Sequence, residues 1–286
     1  MGATGAEWVP LSVRESDDSD GFESPLEEIP DWLFISLWDY VEVALHEVDP
    51  GKLYLEVREL ERRLRRNLEM PRGVPGAIVD VLHKRMQNDG ALCLDVLDYL
   101  LRFAIDSTWA LPIAAAFREA GFVWTVTETE DGAFLSRRVG DGAQARAQKA
   151  MEVGDRCSKH LAEAWHCVFG RNPDGQKGYD EVVKAVECAV QPVVSPQNPK
   201  TTLGTAVADM RAKPSKWEIG LSHPDSERQV VAVVEMMDVL WKGQHRHGVT
   251  DIGAPMGNTD EEAEGAMQIG ITLVEWFRSE FIRRVT

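Results

Sequence analysis

Residues 230–248 read VVAVVEMMDVLWKGQHRHG, an apolar run that gives way to a short polar one. The apolar part predicts an α-helix over Asp225–Lys242, because the run is long enough, and contains enough hydrophobic residues, to bury one helix face. Thr259, with Glu262 at the reciprocal position, forms a capping-box pattern that predicts a last helix ending near Arg284. Two helices joined by a polar loop therefore organise the C-terminal end of the chain.

The segments before this helix pair also have helical spacing. The spacing continues from Ala143 to Phe169 and predicts one helix of almost thirty residues. Further helices are predicted at Tyr179–Val190, ended by Pro192, and at Leu203–Arg211. Residues 141–286 are therefore expected to form a four- or five-helix bundle.

The N-terminal half is predicted to be a second helical domain. Residues 1–28 are acidic and poor in apolar anchors, so we expect a flexible tail. Five segments with helical spacing follow it: Pro30–Pro50, Lys52–Leu68, Ala77–Gln87, Leu92–Ile105 and Leu111–Ala120. Alternating residues on both sides of Asp131-Gly132 predict a β-hairpin within residues 122–139. The fold class is therefore mainly α, with a helical domain over residues 29–140 that ends in a hairpin.

The charge of the chain limits the ligands that its surface attracts. The sequence has 47 acidic and 31 basic residues, a formal net charge of −16. Such a field repels polyanions and disfavours broad, sequence-independent binding of nucleic acid. A local basic pocket is compatible with this charge.

Other sequence features concern location and cofactors. The four cysteines have no C-x-x-C spacing, and the chain begins with neither a basic nor an apolar leader, so we expect a cytoplasmic protein. The apolar runs are shorter than the roughly 20 residues that span a bilayer, so no membrane association is expected. Metal-binding motifs, phosphate-binding glycine loops and dinucleotide fingerprints are missing, and we expect neither a metal nor a cofactor.

The polar run after the apolar helix contains the side chains best suited to chemistry: Lys242, His245, Arg246 and His247. A histidine that titrates near neutral pH can move the proton of a ribose 2′-hydroxyl, and Arg or Lys can stabilise charge that develops on a phosphate. These are the residue types that metal-free RNA cleavage needs. Cations also stabilise the free carbonyls at a helix C terminus, so helix capping is the alternative interpretation.

The order of these features resembles the C-terminal domain of abortive-infection proteins of phage and bacterial genomes. The shared features are an apolar helix, a basic run ending in His247-Gly248, a polar loop, and a helix that begins with small residues and continues as Ile271–Phe277. That domain is similar to the HEPN superfamily of helical bundles. The resemblance covers about Ala143–Val285 and implies a homodimer that acts as an antiviral toxin by cleaving RNA without a metal.

The resemblance also implies a motif, an arginine followed after four to six residues by a histidine. His247 matches the histidine, while Lys242 stands at the spacing of the arginine and lacks its bidentate fork. Arg246 directly precedes His247. The catalytic candidates are therefore His247, Arg246 and Lys242. With Lys242 in place of the arginine, two alternatives are open: a site that cleaves RNA, or one that has kept the architecture and lost or altered the chemistry. His245 and Gln244 are candidates for binding.

A second candidate pair for binding is Arg156 and His160. Residues four apart share one face of a helix. The alternative for this pair is a solvated or interhelical polar contact.

A non-enzymatic function is the alternative for the whole chain. In this interpretation the protein is a helical dimerisation or immunity module that binds a protein partner or antitoxin. Its acidic surface would then serve solubility and the choice of partner.

Overall fold

The computed structural model describes residues 25–72, 74–103, 107–221, 225–244 and 257–285. The fold of these residues is mainly α-helical, as the sequence predicts. The chain divides into two compact units, residues 1–126 and 127–286. This division falls inside the first β-strand, whereas the sequence pattern places a boundary after residue 140. Residues 1–24 of the predicted tail lie outside the described part of the chain.

In its described residues the first unit contains five α-helices: α1 (Asp31–Glu47), α2 (Leu53–Leu64), α3 (Pro75–Gln87), α4 (Gly90–Phe103) and α5 (Ala110–Glu119). Helix α1 packs against α3, α4 and α5, and it buries Leu33, Leu37 and Val41. All five helices occur where the spacing predicts them, with different ends. At the start of the described chain, Leu26 is paired with Phe122 in an isolated parallel bridge.

Helix α2 ends four residues before the predicted end at Leu68. Arg65 adopts a left-handed conformation with φ of 51° and stops the helix. The buried carboxylate of Glu61 then accepts the backbone N–H of Leu68 at 2.7 Å. The backbone N–H of Leu68 therefore bonds to this carboxylate, where a continued helix would have bonded it to a backbone carbonyl.

The predicted hairpin is present as β1 (Trp124–Thr129) and β2 (Gly132–Arg137). Gly132 has a φ of 127°, a conformation that favours glycine in the connecting turn. Within the second unit, the hydroxyls of Thr127 and Ser136 are hydrogen-bonded at 2.7 Å in a buried position.

The second unit contains six described α-helices: α6 (Asp141–Met151), α7 (Arg156–Phe169), α8 (Gly175–Val194), α9 (Leu203–Ala212), α10 (Ser226–Gly243) and α11 (Asp260–Arg278). Helix α8 lies at the centre and packs against α7, α9 and α11. Small residues permit these close contacts. A methyl group at Gly270 of α11 would lie 2.5 Å from Val182 of α8, and one at Gly178 of α8 would lie 2.7 Å from Val168 of α7.

The single long helix predicted over residues 143–169 is divided into α6 and α7. Gly154 has a φ of 75°, which breaks the helix, and Asp155 starts the next one by accepting the backbone N–H of Ser158 at 2.7 Å. Arg278 fixes this break from α11, because its guanidinium donates to Ala150 O at 2.9 Å and forms an ion pair with Asp155.

Two other helix ends differ from the prediction. Pro192 lies inside the last turn of α8 and does not end it. Helix α11 ends at Arg278, and the chain continues as strand β4 (Ile282–Arg284), which pairs antiparallel with β3 (Trp217–Ile219). Among the helices that the structure describes, none combines the length and apolar character needed to cross a membrane.

Candidate functional site

The polar run predicted to carry chemistry begins at the C terminus of α10. Lys242 and Gln244 lie in the described part of the chain, whereas His245, Arg246 and His247 lie outside it. The described chain resumes at Gly257 and enters α11. The site can therefore be built from the residues on both sides of residues 245–256.

The last turn of α10 is fixed by Tyr179 of α8. The Tyr179 hydroxyl donates to Leu240 O at 3.2 Å, and a methyl group at Gly243 would overlap that hydroxyl. Burial, with a contribution from the charge of Glu262, raises the pKa of Tyr179 to about 12. Tyr179 therefore stays protonated and holds the helix end as a hydrogen-bond donor.

Four polar residues, which we call the clasp, join the two flanks of residues 245–256 to each other and to α8. They are Gln176 and Asp180 of α8, Gln244, and Asn258. The Asn258 amide donates to Gly243 O at 2.8 Å, so the chain returns to the helix end that it left. The backbone N–H of Asn258 donates to Gln176 Oε1 at 2.9 Å.

The clasp is closed by Asp180. Its Oδ1 accepts from Gln244 Nε2 at 2.8 Å and from Gln176 Nε2 at 3.0 Å. One carboxylate oxygen thus connects the residue that precedes the segment with the residue that holds the chain after it. Both flanks are held by directional bonds to one helix, which is the kind of support that positions a functional loop.

The start of α11 continues this network. The predicted capping box is confirmed: Glu262 N–H donates to Thr259 Oγ1 at 3.2 Å, and Thr259 N–H donates to Glu262 Oε2 at 2.9 Å. The same carboxylate oxygen of Glu262 accepts from Asn258 Nδ2 at 3.3 Å. The clasp and the cap of α11 are therefore one hydrogen-bonded unit.

Lys242 presents a charge at the rim of this region. Its side chain is 70% exposed and forms a 2.7 Å ion pair with Asp238, one turn earlier on α10. Arg211 of α9 also contacts Asp238, at 3.1 Å. The hydrogen bond from Lys242, with a further one from Arg211, lowers the pKa of Asp238 although burial opposes the change. Asp238 is therefore an ionised anchor shared by two cations.

Arg211, like the clasp residues Gln176 and Asp180, is a residue of this region that the sequence pattern does not indicate. It lies 27 positions before Asp238, and its partly exposed guanidinium also contacts Glu235 at 2.9 Å. Nothing in the local sequence around Arg211 indicates that it lies beside Lys242, because only the packing of α9 on α10 brings them together.

The two residues of the second candidate pair have different surroundings on α7. Arg156 is exposed in the first turn of α7, whereas His160 Nδ1 is hydrogen-bonded to Glu181 Oε2 of α8 at 2.7 Å. Lys184 donates to the other oxygen of Glu181 at 2.6 Å. Burial by itself raises the pKa of Glu181, but the bonds from Lys184 and His160 outweigh it and leave that pKa lowered. His160 thus makes the interhelical contact that was its alternative interpretation.

No group of three or more metal-binding side chains converges within the described ranges. No family model, no curated protein and no solved structure matches this chain. The fold and the site define a mainly α-helical protein in which α10 and α11 flank residues 245–256 of the sequence. Its function is inferred from those residues.

Proposed function

We propose that this chain is a cytoplasmic, abortive-infection-like protein that cleaves RNA, with residues 245–256 supplying the active site of its C-terminal unit. The clasp is the observation that supports this proposal. Gln244 and Asn258 tie both flanks of the segment to α8 through Asp180 and Gln176. Fixed flanks of this kind would help to position functional side chains between them.

His247 is the base in the proposed reaction. It takes the proton of a ribose 2′-hydroxyl, and the 2′-oxygen attacks the adjacent phosphorus while the bond to the 5′-oxygen breaks. A second histidine returns a proton to the leaving 5′-oxygen. In the proposed dimer, this histidine belongs to the other copy of the chain. The products are a 2′,3′-cyclic phosphate and a 5′-hydroxyl, and the reaction needs no metal.

Arg246 and Lys242 stabilise the charge on the phosphate during this step. The exposed ammonium of Lys242 and the half-exposed guanidinium of Arg211 lie on one side of α10, where Asp238 and Glu235 balance their charges. Because the whole chain carries a net charge of −16, a short single-stranded substrate is favoured over extended duplex binding.

The active form in this proposal is a homodimer, restrained by a protein partner or antitoxin until infection. The competing function is a non-enzymatic dimerisation or immunity module. A dimer that binds a protein partner and leaves RNA intact would support that competing function.

The proposal is tested with purified full-length protein and a labelled single-stranded RNA, with EDTA present. Cleavage with cyclic-phosphate ends is expected for the wild type, and a loss of at least about 100-fold for His247→Ala, the range of a lost general base. His46→Ala is the matched control, since His46 is exposed on α1 in the other unit. RNA that stays intact with the wild-type dimer would overturn the proposal.

A further inference from the structure

Two cysteines from neighbouring helices of the second unit lie side by side. Cys157 is in the first turn of α7 and Cys188 is in α8, 31 positions later. Their sulfur atoms are 2.9 Å apart, and both thiols are free. Neither cysteine belongs to the clasp or to the candidates for catalysis.

The distance and the placement suit a covalent bond. A disulfide bond has a length of about 2.05 Å, so the two sulfurs must approach by only about 0.9 Å. The helices that carry them are packed along their lengths in the core of the unit. Thiols held in this way need little rearrangement of the backbone to become joined.

We propose that Cys157 and Cys188 form a reversible redox site, in which a peroxide oxidises the pair to a disulfide that links α7 to α8. The Cys188 thiol releases its proton and its sulfur attacks hydrogen peroxide to become a sulfenic acid, while the O–O bond breaks and the departing hydroxide takes up that proton and leaves as water. Cys157 then attacks the Cys188 sulfur, the S–O bond breaks and a second water leaves. Each sulfur loses one electron, and the peroxide takes both.

The surroundings of the two thiols assign this order. Cys157 is 5% exposed, whereas Cys188 is only partly buried and is the thiol that an oxidant reaches. Burial, together with the neighbouring Cys188, raises the pKa of Cys157, so Cys157 is a protonated thiol in the resting protein. Conversion of Cys188 to a sulfenic acid supplies the electrophile that Cys157 attacks as it releases its proton.

The disulfide would restrain the unit that carries the clasp. It closes a loop that contains the α7–α8 connection, and a cross-link of this span raises the melting temperature by roughly 5 °C or more. Reduction by a dithiol returns the two free thiols. The site is independent of the proposed ribonuclease function, since it uses none of the residues in that reaction.

The test uses the full-length protein, treated with hydrogen peroxide and then denatured for thiol titration and peptide mass mapping. The wild type is expected to lose two of its four thiols and to give one cross-linked peptide that contains Cys157 and Cys188. Cys188→Ser should keep all three of its remaining thiols and should show no rise in melting temperature. Cys157→Ala is a second variant: it should also give no cross-linked peptide and no rise in melting temperature, although its Cys188 thiol is still open to oxidation to the sulfenic acid.

Cys167→Ser is the matched control, because Cys167 is equally buried on α7. It should still form the cross-link and show the rise in melting temperature, both reversed by dithiothreitol. Retention of all four wild-type thiols, or a cross-link between two chains instead of within one, would overturn the proposal.

Discussion

Replacing Asn258 by alanine tests the clasp most sharply. Asn258 is 7% exposed, and its amide donates to Gly243 O at 2.8 Å and to Glu262 Oε2 at 3.3 Å. A hydrogen bond in a folded protein contributes about 1 kcal/mol net, so the loss of both lowers the free energy of unfolding by about 2 kcal/mol. For a unit of this size, that change lowers the melting temperature by roughly 4–8 °C.

The assay is unfolding of the full-length protein in urea and by heat, followed by circular dichroism. Asn172→Ala is the matched control, since Asn172 is exposed in the α7–α8 connection and its replacement should change the free energy of unfolding by less than about 0.5 kcal/mol. If Asn258→Ala also stays within about 0.5 kcal/mol of the wild type, the clasp does not hold the two flanks together and the structural reasoning fails.

Three further predictions concern the packing and charge of the second unit. Gly270→Ala should destabilise this unit by about 1–3 kcal/mol because the new methyl group meets Val182. Gly265→Ala on the same helix places its methyl group where no atom lies within 4 Å, and it should stabilise the unit by about 0.5–1 kcal/mol. Urea unfolding compares the two variants, and equal changes in the free energy of unfolding would contradict the packing. Burial alone raises the pKa of Asp155, but hydrogen bonds from the Ser158 backbone amide and from Arg278 leave this pKa lowered. The ionised Asp155 therefore contributes fully to stability above about pH 4, and this contribution is lost as the pH falls through the lowered pKa. Urea titrations from pH 7 to 3 should therefore show a shallower loss of stability for Asp155→Asn than for the wild type, and parallel curves would refute the assignment. Arg278→Leu should lower the free energy of unfolding by about 1.5–3 kcal/mol, since it removes the charged hydrogen-bond donor of Asp155 and of Ala150 O while Ser158 still donates to that carboxylate; a loss under about 0.5 kcal/mol in the same assay would show that this ion pair is dispensable.

The helices of this fold could be predicted from the sequence because their signals are local. Apolar spacing places all five helices of the first unit, and the capping box at Thr259 places the start of α11. The break at Gly154 escapes the same method because the apolar spacing on its two sides stays in phase. Strand β4 is also missed, since its partner β3 lies more than sixty positions earlier and only tertiary structure pairs them.

The candidate site was predictable only in part. The polar run could be recognised because basic residues and glycines follow one another in the chain. The clasp could not, because Gln176 and Asp180 look like ordinary polar residues on the exposed face of a helix until α8 meets the segment flanks. Arg211 was missed for the same reason. From the sequence, His160 could be either a binding residue or part of a polar contact between helices, and its hydrogen bond to Glu181 of α8 favours the second interpretation.

The central claim is that the clasped segment cleaves RNA through His247. Its most direct test is the rate of RNA cleavage by the full-length protein, compared between the wild type, His247→Ala and Asn258→Ala. We expect the wild type to cleave RNA in EDTA and His247→Ala to cleave it at least about 100-fold more slowly. Asn258→Ala should lose less of the cleavage rate, in protein that circular dichroism shows to be folded. Equal cleavage by wild type and His247→Ala, or no cleavage by the wild type, would contradict it.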